Sequence, residues 1–221
     1  MKQERTGALD DAPSTAAPNR EGPVDARALA SAARAMIEAI GEDPLRDGLR
    51  ETPDRVARAF AEMTAGYRAD PFEILGTVFE APAGAPAGDL VVVEGIPFHA
   101  LCEHHLLPFS GVATVGYVPA GRIVGLSKIP RLVDALARRL QVQERLTAEI
   151  AAAIESALGP RGVGVLVSAE HLCLAARGAS RPGVLMTTEA LRGSLRDDAA
   201  TRSQLARSHE RGLSRRGGQH G

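Results

Sequence analysis

The spacing of apolar residues changes abruptly near residue 90, and that change limits the folds open to the chain. Before it, apolar side chains recur at helical intervals. Leu29, Ala33, Met36, Ile37 and Ile40 form one stripe; Val56, Phe60 and Met63 form the next. Gly41 supplies a stop for the first helix, and Thr52 followed by Pro53 predicts the N-cap and first-turn proline of the second. Asp70-Pro71 with Glu73 starts a short third helix. Beyond residue 90 the pattern is that of strands. Leu90 to Ile96 is Val-rich, Val112 to Val118 alternates, and Arg122 to Leu126 is short. A helix pair interrupts them. Ser127 is expected to cap the first, with Ile129, Leu132, Val133, Leu136 and Leu140 as its stripe. The second carries Val142, Leu146, Ile150 and Ile154 and ends at Gly159-Pro160. Val163, Val165 and Val167 alternate again. His171 to Arg177 and Leu185 to Leu191 are expected to be extended, and a last helix spans Ala199 to His209. Strands in consecutive runs on either side of a helix pair predict an α+β chain with a mainly antiparallel sheet.

Composition narrows the function classes. The chain has 221 residues, 44% hydrophobic and 24% charged, with a formal net charge of −1, which fits one globular domain or two. A charge so near zero argues against general nucleic-acid binding. Aromatics are 3% with no Trp, so the core is built from Ala, Val, Leu and Ile. Two cysteines are too few for a disulfide scaffold. No apolar run follows the N-terminal Met1 to Arg5, so no secretory signal is expected. The longest stretch free of Asp, Glu, Lys and Arg, His104 to Gly121, holds two His, two Pro and three Gly, which suit a turn and strand rather than a membrane helix. A cytoplasmic protein with reduced thiols is expected, with no membrane or nucleic-acid partner. Residues 1–22 and 212–221 are expected to be disordered tails, and Ala81 to Gly88 a loop. No G-x-G-x-x-G and no Walker A motif is present.

Chemistry concentrates at the two cysteines. Each stands beside histidine: Cys102-Glu103-His104-His105 and His171-Leu172-Cys173. Cys-x-x-His lets a thiolate and an imidazole reach one ion from a single turn, and Cys173 can add a third ligand. Two thiolates and one imidazole suit zinc, and three protein ligands leave a position for water. If residues 171–177 are extended, His171 and Cys173 share a face, so His171 stands beside the metal. From spacing alone the alternatives stay open: small buried hydrophobes or, less compatibly with the compartment, a disulfide. His99 has no assigned role; His209 and His220 are expected to be solvated.

Two further groups are notable. Lys128 and Arg131 share a face at the start of a helix, with Arg138 and Arg139 further along, Arg177 after the second Cys/His group, and Arg55 opening an earlier helix. They can hold a polyphosphate, or simply form a solvated, ion-paired face. In Gln141-Val142-Gln143-Glu144-Arg145, a carboxylate at a helix start can accept the N1–H and 2-amino hydrogens of guanine, or merely complement the helix dipole.

Taken together these segments resemble the GTP cyclohydrolase I family. The matching stretches are Cys102 to Phe109, Gly125-Leu126-Ser127-Lys128, Arg138 to Thr147, and His171-Leu172-Cys173 with Arg177-Gly178. Upstream, Gly41-Glu42-Asp43-Pro44, Gly48-Leu49 and Thr52-Pro53-Asp54-Arg55 resemble its helical segment. The resemblance covers about residues 25 to 210. It implies Zn²⁺ held by Cys102, His105 and Cys173, and proton transfer by His104 and His171. It implies guanine recognition by Glu144 and Gln143, and a triphosphate held by Lys128, Arg131, Arg177 and Arg55; Ser127 joins the substrate-binding set. It implies a tunnelling fold: an antiparallel sheet with helices on one face, closed into a barrel by oligomerisation. On that reading residues 23–80 are the helical segment and 81–211 the catalytic domain. The implied assembly is a homodecamer of two pentamers with sites at subunit interfaces. The implied reaction converts GTP and water to 7,8-dihydroneopterin triphosphate and formate, the entry to tetrahydrofolate or tetrahydrobiopterin synthesis.

One segment departs: Val184-Leu185-Met186 is apolar where the family usually has small hydroxyl residues and often a Lys. The rival readings are a nucleotide-binding regulatory paralogue without turnover, or another tunnelling-fold enzyme acting on a pterin or deazapurine.

Overall fold

The structure, a computed structural model, describes residues 24–76, 78–80 and 89–217. The expected tail at 1–22, the loop at Ala81 to Gly88 and His220 lie outside them.

Three helices lead the chain: α1 (Ala26–Ala39), α2 (Thr52–Met63) and α3 (Pro71–Leu75), with a 3-10 turn at Ala65–Arg68. Asp25 caps α1 by accepting from the Ala28 N–H at 3.0 Å. Asp70 caps α3 in the same way through Phe72. Thr52 is not the cap of α2. Glu51 occupies that position without a side-chain bond, and Thr52 is already helical.

The sheet forms next, from β2 (Val91–Cys102), β3 (Pro108–Val118), β5 (Leu140–Gln141), β6 (Gly162–His171) and β7 (Leu185–Gly193). Its order is β5-β2-β3-β6-β7, antiparallel except for the β2–β5 pair. Two short strands, β1 (Val78–Glu80) and β4 (Arg122–Val124), pair apart from it. β1 and β5 are too short for any period to reveal. The expected strand at Leu90 to Ile96 runs on through Pro97 to Cys102, after a bulge where Gly95 takes φ +74°.

The helices α4 (Lys128–Ala137) and α5 (Gln143–Leu158) cover one face. Ile129, Leu132, Val133, Leu136, Leu146, Ile150 and Ile154 pack there against Phe98, Ala113, Val115, Val163, Val165 and Val167. Ser127 occupies the N-cap position of α4, but its side chain makes no capping bond. Gly159 ends α5 in the left-handed conformation, φ +55°. Arg139, expected among exposed cations, is buried. It donates to Gly66 O at 3.0 Å and Ala69 O at 3.4 Å, docking the 3-10 turn onto the end of α4.

His171 to Arg177 is not extended. β6 ends at His171 and the chain turns into α6 (Leu172–Ala175). Leu172-Cys173-Leu174-Ala175-Ala176 has no polar alternation and no β-branched residue, so a helical turn suits it better than a strand. The shared-face argument for His171 and Cys173 therefore fails.

After α7 (Ser194–Asp197), α8 (Ala199–Gly217) crosses the opposite face of the sheet. It runs eight residues past His209 and through the expected tail start at 212. Leu205 is fully buried over Gly116 and Gly164; a Cβ at either glycine would lie 2.8 Å or 2.4 Å from its methyls. Burying such a leucine contributes about 2 kcal/mol. His209, expected to be solvated, is buried. One ring nitrogen lies 2.8 Å from Ser168 Oγ and the other 3.0 Å from Thr114 Oγ1. Burial holds its pKa below the ordinary value, partly opposed by Glu210. A histidine with a depressed folded-state pKa stabilises fully above its unfolded value of about 6.5, and that contribution is lost as pH falls below it. Calorimetry should show the wild-type Tm falling between pH 7.5 and 5.5 more than that of His209→Leu. At pH 7.5 the variant should be about 1–3 kcal/mol less stable, because buried hydroxyls lose a partner.

Candidate metal centre and active site

The turn between β2 and β3 builds half of the centre. Cys102 N–H donates to Leu107 O at 2.8 Å, and Leu106 N–H donates back to Cys102 O at 2.8 Å. Leu106 completes the reversal at φ +56°, a conformation costly for a branched side chain and one that gathers at functional sites. The turn brings the first ligand pair together: Cys102 Sγ is 3.8 Å from His105 Nδ1, and 3.9 Å from His104 Nδ1. Cys173 arrives from α6. One ligand atom each of Cys102, His105 and Cys173 lie within 4.8 Å of one another.

This set fits zinc. Tetrahedral ligands at Zn–S of about 2.3 Å and Zn–N of about 2.1 Å stand roughly 3.6 Å apart, close to the Cys102–His105 separation. Burial, and then the neighbouring Cys102, push the Cys173 thiol up from its ordinary value, while Arg177 pulls it down. Two thiols facing each other resist becoming thiolates together; a shared cation removes that penalty.

The register of β3 with β6 sets the next residue. Phe109 pairs with His171, and their rings stack at 4.6 Å, 2° from parallel. His171 Nε2 lies 2.9 Å from Gln143 Oε1. Burial lowers the His171 pKa, and the Glu144 carboxylate works against that shift. The parallel β2–β5 contact, Cys102 opposite Gln141, delivers the start of α5 to the metal turn. Arg145 reinforces this by bonding the Glu103 carboxylate, Leu140 O and Gln141 Oε1. Glu144 is exposed in the first turn of α5, and among the described residues its carboxylate has no hydrogen-bond or ion-pair partner.

One chain thus gathers Cys102, His104, His105, Cys173, His171, Gln143 and Glu144, with Arg177 close enough to act on Cys173. Gln143 is turned inward, 1% exposed, with its amide bonded inside the protein. Lys128, Arg131 and Ser127 are not gathered. α4 joins β5 at its C-terminal end, and its 10 residues put Lys128 about 15 Å away along the axis. Val124, just before that helix, bonds Tyr117, opposite the first residue of β2 rather than its Cys102 end. Arg55 lies on α2, paired with Glu51 at 2.6 Å. Phe109 and Arg145 were missed as site residues by sequence reasoning. Only the strand register and the fold-back of α5 reveal them.

The apolar departure at Val184 to Met186 leaves the sheet intact. Leu185 and Met186 pair with Glu170 and Ala169, and Gly183 N–H donates to Glu170 Oε1 at 2.7 Å. Leu185 and Met186, 54% and 36% exposed, stand on an edge strand, and Val184, 47% exposed, lies just before it.

The profile of the GTP cyclohydrolase I family matches residues 29–210. The GTP cyclohydrolase 1 of Mycobacterium ulcerans is 53% identical over 176 residues, 79% of this chain and 85% of the relative. That of Mycobacterium leprae is 50% identical over 182 residues, 81% and 87% of the two chains. Among solved structures, the apo form of the archaeosine synthase QueF-Like overlays with a TM-score of 0.41 at 21% identity, over 49% of this chain and 96% of that one. With the family profile spanning sheet, helix pair and metal turn alike, the chain belongs to the GTP cyclohydrolase I family.

Proposed function

We propose that this chain is a zinc-dependent GTP cyclohydrolase, converting GTP and water to 7,8-dihydroneopterin triphosphate and formate. The observation that carries this is the convergence of Cys102, His105 and Cys173 beside His171, in a chain of this family. When bound there, zinc supplies a water acidic enough to ionise near neutral pH. The protein's own groups do the rest. Glu144, unpartnered among the described residues, accepts the N1–H and 2-amino hydrogens and fixes the base. His171 or His104 gives a proton to N7, which makes C8 electrophilic. Water adds at C8, the C8–N9 bond opens, and a second hydrolysis releases formate. The ribose-derived chain then closes on the freed amine. Lys128, Arg131, Arg177 and Arg55, with Ser127, hold the triphosphate, so C8 is presented at the metal turn.

The site is completed by a neighbouring subunit. Two features support this: the separation of Lys128 and Arg131 from the metal turn, and the apolar edge at Leu185 and Met186, which calls for a strand partner. A cytoplasmic homodecamer of two pentamers, its sheets closed into a barrel, accommodates both. No helix among the described residues is long and apolar enough to cross a membrane.

Purified protein with GTP should release formate and a product with the mass of dihydroneopterin triphosphate; GTP recovered unchanged from zinc-loaded protein overturns the assignment. About one zinc per chain is expected by elemental analysis, with Cys173→Ser losing metal and activity together. Glu144→Gln should weaken GTP binding while zinc stays. Mixing is the sharpest test of the shared site. Cys173→Ser and Lys128→Ala, each inactive alone, should recover about a quarter of wild-type activity after co-assembly, because random pairing leaves that fraction of sites intact. No recovery would place each site within one chain.

A further inference from the structure

Gln143 was expected to read guanine, yet every polar atom of its side chain is spent inside the protein. Its Nε2 lies 3.0 Å from Val167 O, 2.9 Å from Met186 O and 3.1 Å from Thr188 Oγ1. Backbone carbonyls only accept, so the atom facing them must be the amide nitrogen. Thr188 is consistent with this. Thr147 spends its hydroxyl hydrogen on Gln143 O at 2.7 Å, so Thr188 donates to Thr147, and its own oxygen is left facing the amide, sharing with a carbonyl one of the two hydrogens Nε2 carries. The orientation of the amide is therefore forced. Oε1 is the atom 2.9 Å from His171 Nε2, and an amide oxygen cannot donate. Nε2 of His171 must carry the hydrogen, and in the neutral ring Nδ1 is the bare nitrogen. Phe109, stacked at 4.6 Å, restrains the ring in the remaining direction.

We infer that Gln143 is a positioning residue for His171: its Val167-, Met186- and Thr188-anchored amide fixes the ring's tautomer and, with Phe109, its orientation, so that Nδ1 is the nitrogen presented to the substrate. This rests on the proton-transfer role proposed for His171. It replaces guanine recognition by Gln143 and leaves that task to Glu144.

A double-mutant cycle tests it. Gln143→Met keeps the length of the side chain and removes its hydrogen bonds. In the zinc-loaded oligomer kcat should fall by roughly 10–10²-fold, by analogy with the loss seen when a metal-ligating histidine is deprived of its outer partner. KM and equilibrium binding of GTP should stay within about twofold. In a His171→Ala background the same substitution should change the residual rate little, because Gln143 acts only through the ring. Weakened GTP binding with kcat intact would restore guanine recognition, and an equal loss in both backgrounds would mean a general structural role; either overturns the inference. Should Gln143→Met not fold, the cycle is run with Phe109→Leu and Thr188→Val. A readout independent of turnover completes the test. Nitrogen shifts of ¹⁵N-histidine-labelled protein, assigned by comparison with His171→Ala, should show hydrogen on Nε2 in the wild type and a tautomer mixture in Gln143→Met. Hydrogen on Nδ1 would sink the inference, whereas wild-type protein that does not convert GTP would remove only the proposed reaction.

Discussion

β3 must lie between β2 and β6 in one register, and the chemistry of the chain depends on it. Phe109 faces Ala100 on one side and His171 on the other. On the β2 side, this pairing closes the turn that holds Cys102 and His105. On the β6 side, it lays His171 against Phe109 and releases the chain into α6, which carries Cys173. A slip of one residue would send the His171 ring to the face under α8 and part the two cysteines. The register is held at the far end by a core of Val115, Tyr117, Val163 and Val165, and by the bulge at Gly95.

Much of this was legible in the sequence. The change of period gave the order of helices and strands, and an antiparallel α+β architecture followed from it. The cysteine–histidine spacing pointed to the metal ligands that the structure gathers. What escaped has identifiable physical causes. Cys173 shares a neighbourhood with His171 because the chain turns at Leu172, not because the two residues alternate along a strand. His209 reads as a tail residue until α8 is seen to press it between Thr114 and Ser168. The inward amide of Gln143 depends on Val167 and Met186 being adjacent, and that adjacency exists only once β6 and β7 have paired. Short-range patterns report elements; partners brought together by register have no local signature.

The cations are the other half of the problem. A solvated helix face and a phosphate-holding face look alike in sequence, and the fold separates them. Arg139 is consumed in docking the 3-10 turn, and Arg138 pairs with Asp134 at 2.8 Å. Lys128 and Arg131 have no side-chain partner among the described residues and lie at the end of α4 away from the metal turn. On the function proposed above, substrate capture depends on assembly. In that reading Glu144, which meets the base, and Lys128 and Arg131, which meet the phosphates alongside Arg177, sit at opposite ends of the α4–α5 layer, and a second copy reunites them.

The seating of α8 has a consequence for the order in which the molecule is made. Gly212 lies so close to Gly95 that a Cβ on it would come within 2.8 Å of the Gly95 nitrogen, so the helix can settle only on a finished bulge. β2 and β3 meet as a hairpin early in synthesis, but α8 leaves the ribosome after every other described element, beginning at Ala199, 81 residues beyond the end of β3 at Val118. Until then the face it will cover stands open. That face presents Thr114, Gly116, Gly164 and Ser168 among its few aliphatic residues, whereas the face shielded earlier by α4 and α5 is almost wholly apolar. The nascent chain therefore leaves exposed longest the side least prone to stick to its neighbours.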